Sequence, residues 1–327
     1  MISNRKVAVT PLGGAGDWLR RHTRWLLRLG VVAVLVWWLV AGADLAELGG
    51  VLRRLPMGAF AMALGLGGLT LGIAALRWRM LMRAFGVQAT PPLRVLLRLV
   101  TVGHFYNTFV PGAVGGDVVR GVIMRRAFES PWASYVVVLL ERLLGLSALG
   151  VVLLAGLVVG PPLVEHTTLA LWIGLLLGMG VLVGGAAMFT RRLQVAFRQL
   201  PKVTAPMRLL QAFGISFLGH LLVLVSFGLL ANGLDLPLAP EALLVVVPLG
   251  LVASFLPIAI AGIGPREAAL VGLLGLLGLP RSEALGLSLA YAAVLLVLAG
   301  VGGLIQLIAP GGDPGTTQSS AAALPPG

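Results

Sequence analysis

Six windows of this sequence, at about 26–43, 56–76, 132–160, 167–189, 210–231 and 284–309, approach or exceed the roughly 20 apolar residues that a helix needs to cross a bilayer. In hydrocarbon the backbone must satisfy its own N–H and C=O groups, so such windows read as helices. The chain is therefore expected to be an all-α polytopic integral membrane protein. Charged residues make up 11% of it, where a soluble domain carries about 25%. That supply cannot cover a water-facing surface. There is no cysteine, which excludes disulfide frameworks, thiolate metal sites and cysteine nucleophiles.

Two further apolar stretches, 95–114 and 242–279, are interrupted by glycine and proline. Their role follows from the charges. The N-terminus, the 77–98 region, Arg120, Arg125 and Arg126, and the 191–208 loop hold 19 basic residues, whereas the opposite connections hold six acidic and three basic ones. Basic residues beside spans stay in the cytoplasm and meet anionic headgroups there. This puts both termini in the cytoplasm, with 77–94 and 190–209 on that side and 44–54, 232–241 and 280–283 outside. The net charge of +12 is thus a matter of topology and not of nucleic-acid binding. The assignment closes only if 95–114 enters from the cytoplasm and returns, and 242–279 enters from outside and returns. About six full spans and two re-entrant elements are expected in the cytoplasmic membrane; full spans kinked at proline are the alternative.

Residues 1–25 read as a basic cytoplasmic segment, 26–309 as the membrane domain with 26–43 an uncleaved anchor, and 310–327 as a disordered tail rich in Gly, Pro, Ser and Ala. Laying Phe109 on Phe255 aligns the two broken stretches without a gap at an offset of 146 residues. Phe109-Val110-Pro111 then matches Phe255-Leu256-Pro257, Gly116 matches Gly262, and Arg120 matches Arg266. The expected breaks are Pro111, Gly112, Gly115 and Gly116 in one copy and Pro257, Gly262 and Gly264 in the other. Paired breaks in two halves on opposite faces point to an inverted repeat with a binding site between them.

Charge at membrane depth is costly and marks function by default. Glu141 and Arg142 lie about ten residues into their span, roughly 15 Å at 1.5 Å per residue. Asp117 and Arg120 are three apart, hence on one helical face. Arg266 and Glu267 follow the second break. Arg120, Arg142 and Arg266 are expected to converge on one polar cavity with Asp117, Glu141 and Glu267 as counter-charges, Arg142 pairing with Glu141 or Glu267. Arginine suits phosphate, because its planar guanidinium donates two parallel hydrogen bonds and keeps its charge. The same pairs could instead be clamps between helices. Asn107 and Thr108, just before Pro111, are candidates to bond freed carbonyls or a headgroup. His104 and His220, isolated in apolar surroundings, read as satisfied core residues, and no metal or other cofactor is expected. Gly68 with Gly72 and Gly174 with Gly178 suggest close helix packing. Trp37, Trp38, Trp78 and Trp132 read as interface anchors.

The run from Asn107 to Arg120, then Glu141-Arg142-Leu143-Leu144-Gly145, then Pro257 to Glu267 resembles the transmembrane region of lysylphosphatidylglycerol synthases and their stand-alone flippase-like relatives. The likeness covers about residues 20–309. It departs at Glu141, where the family commonly has aspartate, and at Pro265, where it usually has another residue. The resemblance implies a domain that moves a polar lipid between leaflets; in the synthases a separate soluble domain transfers the aminoacyl group. The chain ends at Gly327 without that domain, so aminoacyl transfer is not expected of it.

The leading expectation is a lipid translocase, non-enzymatic, whose partner is a membrane lipid. An embedded enzyme using Asp117, Glu141 or Glu267 on a lipid phosphate is one alternative, and a scaffold for a separate lipid-modifying enzyme is another. No nucleotide phosphate loop is present, so transport is either downhill or coupled to an ion, with Glu141 the candidate proton carrier. Homo-oligomerisation is left open.

Overall fold

A computed structural model of the chain describes residues 44–87, 90–109, 115–125, 128, 131–159, 203–255 and 264–308. The 26–43 and 167–189 windows, the N-terminal segment, the tail, and Pro111, Gly112, Pro257 and Gly262 lie outside these residues. Among the described residues nine α-helices and no strands occur: α1 Leu45–Arg54, α2 Met57–Ala84, α3 Leu93–Phe109, α4 Gly115–Met124, α5 Pro131–Val159, α6 Pro206–Gly233, α7 Pro240–Ala253, α8 Pro265–Leu276 and α9 Arg281–Ile308. The chain is a multi-pass membrane protein. Its four long apolar helices, α2, α5, α6 and α9, coincide with four of the six expected spans.

Short α1 is an ordinary capped helix. The Asp44 carboxylate accepts from the Ala46 N–H at 2.8 Å and the Glu47 N–H at 3.2 Å, and Arg53 and Arg54 occupy the last turn. The expected span 56–76 continues through Arg77 to Ala84, so Arg77 lies inside α2 and not in a loop. Proline at the first turn of α6, α7 and α8 supplies helical φ where no N–H is needed.

Each broken stretch forms two antiparallel short helices, α3 with α4 and α7 with α8. In the first, the backbones approach so closely that a Cβ on Gly116 would stand 1.9 Å from the Gly103 carbonyl oxygen. In the second, Gly250 receives the Leu270 side chain, which an added Cβ would meet at 2.6 Å. The first pair docks on α9 through Gly302, where a Cβ would lie 2.2 Å from the Thr101 carbonyl oxygen, and the second docks on α5 through Gly156 against Leu244. Among the described residues nothing lies within 4 Å of a Cβ added to Gly68 or Gly72, so the close packing suggested by their spacing is not with any of these helices. At the centre α2 and α6 run antiparallel: Gly233 meets Ala59 and Pro56, and the Thr204 N–H donates to the Ala84 carbonyl at 2.9 Å.

The order long helix, broken pair, long helix occurs twice. Counterpart helices start at 57 and 206, 93 and 240, 115 and 265, and 131 and 281, separations of 147 to 150 residues. Two cores follow this division. One, around Trp78, Leu81, Leu96, Met124 and Val137, belongs mainly to α2–α5; the other, around Phe227, Leu230, Leu270, Leu274 and Leu287, belongs mainly to α6–α9. Large apolar side chains such as Leu154, Val158, Leu304 and Leu307 are exposed, as a lipid-facing surface requires.

Candidate headgroup site

Asp117 and Arg120 stand one turn apart near the start of α4. Facing them, α5 presents Glu141 and Arg142, adjacent residues that point in different directions. Across the gap Arg77 reaches in from α2. These five side chains form one chain of alternating charge. Arg77 Nη2 donates to Glu141 Oε1 at 2.9 Å, and Arg120 Nη1 donates to Glu141 Oε2 at 3.1 Å. Arg120 Nη2 donates to Asp117 Oδ1 at 2.8 Å, and Arg142 donates to Asp117 Oδ2 through Nε at 2.8 Å and Nη2 at 2.7 Å. At the far end Arg77 Nη1 donates to Ser216 Oγ of α6 at 3.2 Å.

Burial grades along the chain. The side chains of Glu141 and Arg120 are 4% and 7% exposed, whereas Arg142 is 37% exposed. Arg120 packs over the Trp78 ring at 4.9 Å, and Trp78 is itself buried. Trp78 is thus a platform for a guanidinium and not an interface anchor. Arg142 lies 5.7 Å from the Phe255 ring, which closes α7 of the other half.

The expected pairing of Arg142 with Glu141 or Glu267 is not found. Asp117 takes Arg142 because the i,i+1 neighbour Glu141 faces Arg77 and Arg120. Nor do Arg266 and Glu267 join the chain. On α8 Arg266 donates to Glu267 Oε1 through Nε at 2.8 Å and also through Nη2, and Glu267 Oε2 accepts the Gly264 N–H at 2.7 Å. Glu267 is fully buried, so this carboxylate closes the turn at Gly264, whose φ of 137° only glycine adopts readily. Arg266 lies over Tyr291 of α9 at 5.5 Å. Between the two groups sits His104, whose Nε2 pairs with the Leu295 carbonyl at 3.2 Å and which lies within electrostatic reach of both Arg142 and Arg266.

Asn107 has a structural task in place of the one expected. Its Oδ1 accepts the Gly116 N–H at 2.8 Å, fastening the end of α3 to the start of α4, so it meets a freed N–H and not a freed carbonyl. Gly115 opens α4 and Gly116 makes the close approach. His220 Nε2 pairs with the Gly145 carbonyl at 2.8 Å. Among the described residues no group of three His, Asp or Glu could hold a metal. Arg77 and Ser216 are the members that sequence reasoning missed. Arg77 belongs to a run of arginines that topology alone explained.

The family model described as the lysylphosphatidylglycerol synthase TM region matches residues 25–303, most of the chain and all nine helices but the end of α9. No curated protein matches it.

Proposed function

The chain belongs to the lysylphosphatidylglycerol synthase TM region family, and from that membership we propose that it is a lipid translocase of the cytoplasmic membrane, moving a phosphate-bearing lipid between leaflets without catalysing a reaction. Both termini are cytoplasmic in this reading, and α3–α4 and α7–α8 are re-entrant from opposite faces.

The observation that carries it is the charge chain across α2, α4 and α5, which ends at the half-open guanidinium of Arg142. Arg142 spends Nε and Nη2 on a single oxygen of Asp117, and its Nη1 has no partner among the described residues. A phosphate arriving there meets that donor on a group held by Asp117, which is itself held by Arg120, with Glu141 and Arg77 behind it. The inner members orient Arg142 and keep the empty site from trapping stray anions. Glu141, gripped by two arginines, is a counter-charge in this reading and not a proton carrier.

An inverted relation between α2–α5 and α6–α9 supports translocation, because it gives one site two equivalent approaches. Two features favour it. Packing is preserved on exchanging the halves: α3 on α9 corresponds to α7 on α5, and α4 on α5 to α8 on α9. Asp117 and Glu267 stand 150 residues apart, the separation of the helices that carry them.

Purified protein in liposomes holding a fluorescent phospholipid should speed exchange between leaflets relative to protein-free vesicles. Arg142→Lys keeps the charge and loses the two-pronged geometry, so the folded variant should exchange about tenfold more slowly, the loss of one charge-assisted hydrogen bond. Wild-type protein that exchanges no lipid would refute the reading.

A further inference from the structure

Both histidines among the described residues are engaged alike. His104 of α3 bonds through Nε2 to the Leu295 carbonyl of α9 at 3.2 Å, and His220 of α6 bonds through Nε2 to the Gly145 carbonyl of α5 at 2.8 Å. A carbonyl only accepts, so Nε2 is the donor in both rings. Each bond joins α2–α5 to α6–α9, and the two run in opposite directions. Their acceptors, Gly145 and Leu295, stand 150 residues apart, which is the separation between the starts of α5 and α9. The same carbonyl is therefore taken in each half. The donors come from unlike elements, a short helix and a long one.

Each acceptor lies about one turn beyond the residue that receives an arginine of its half. Glu141 in α5 takes Arg77 and Arg120, and Tyr291 in α9 lies beneath Arg266. On α6, Ser216 and His220 are four residues apart and share a face. The first caps Arg77 while the second takes α5, and a Cβ on Gly145 would stand 3.5 Å from Arg77 Nη1. A carbonyl in mid-helix already accepts the N–H four residues on and offers its second lone pair to the ring. Losing the histidine therefore strands no backbone group. What the bond adds is direction: apolar packing is non-directional, whereas a bond to one carbonyl fixes how the helix is turned about its axis.

We infer that His104 and His220 are positioning residues for translocation, each donating across the halves to set the rotation of the helix that carries the site. This rests on the translocase reading and adds to it the residues that keep α5 and α9 aligned.

Phenylalanine keeps a ring of similar size without the donor, and glutamine carries its Nε2 as many bonds from Cα as histidine does. In liposomes holding fluorescent phosphatidylglycerol, His104→Phe and His220→Phe in the full chain should each exchange lipid about fivefold more slowly than the wild type, the contribution of one hydrogen bond. His104→Gln and His220→Gln should recover most of that loss. All four should unfold in detergent close to the wild-type midpoint. Ser147→Ala is the control: its Oγ donates to the Leu143 carbonyl at 2.9 Å within α5 itself, so its loss removes a bond of the same kind without releasing the halves, and exchange should stay at the wild-type rate. Phenylalanine variants that exchange like the wild type, with or without a lowered midpoint, or glutamine variants as slow as they are, overturn the inference and leave the translocase reading standing. If the wild type moves no lipid, the translocase reading falls, and equilibrium binding of phosphatidylglycerol to the detergent-solubilised protein decides the positioning role. Weaker binding by the phenylalanine variants, restored in the glutamine ones, supports it; binding that is equal in all of them, or absent, overturns it.

Discussion

Glu141 is the residue on which the charge chain turns. It is buried, and it accepts from two guanidiniums that approach from different helices. Glu141→Gln keeps the shape but leaves Arg77 and Arg120 short of an anion, and breaking a buried ion pair from one side costs about 3–5 kcal/mol. Thermal unfolding in detergent should register that loss, and an unchanged midpoint would show that the pairs carry no stability. Trp78→Ala removes a fully buried ring and the platform under Arg120, and should cost about 3–5 kcal/mol in the same assay. What was legible here depended on spacing. Asp117 and Arg120 share a face because they are three residues apart, and their bond follows from the sequence. Arg77 was hidden: it begins a run with Arg79 and Arg83, and an orientation rule accounted for all three. Only the turn of α2 separates them, aiming Arg77 at Glu141 while Arg83 stays exposed and meets Thr90.

At the scale of elements, the two broken stretches owe their form to a few glycines. Gly116→Ala would drive a methyl into the Gly103 carbonyl, a backbone group that cannot swing aside, so α3 and α4 must separate. The expected cost is about 3 kcal/mol or more, while Gly272→Ala, where a Cβ meets nothing within 4 Å, should unfold like the wild type. Equal stabilities for the two variants would contradict the close approach. Gly264→Ala should cost about 1–3 kcal/mol, because its φ of 137° strains any L residue. The glycine and proline clusters fall between the described helix ends, Phe109 and Gly115 in one stretch and Ala253 and Pro265 in the other, while Pro111, Gly112, Pro257 and Gly262 themselves lie outside the described residues. The sequence could not reveal which glycines touch. Gly68 and Gly72 have an inviting spacing but meet none of the described residues, whereas Gly103, Gly156 and Gly302 work against partners more than 10 residues away in the chain.

Across the whole molecule, the arrangement of long helix, broken pair and long helix recurs at separations of 147 to 150 residues, so the sequence alignment at 146, which set Arg120 on Arg266, is not the register of the helices. Most of that correspondence cannot be read from residue identity, because Glu141 faces a tyrosine counterpart and Arg142 an alanine. Packing preserves what side chains have lost. The central claim is that the halves are inverted, so that α3–α4 enters from the cytoplasm and α7–α8 from outside. The absence of cysteine allows a direct measurement. Arg94→Cys, exposed at the start of α3, and Pro280→Cys, exposed in the turn before α9, can each be probed in intact cells with a membrane-impermeant thiol reagent. The account predicts labelling of Pro280→Cys from outside and of Arg94→Cys only after the membrane is opened; labelling of both from the same side would contradict it.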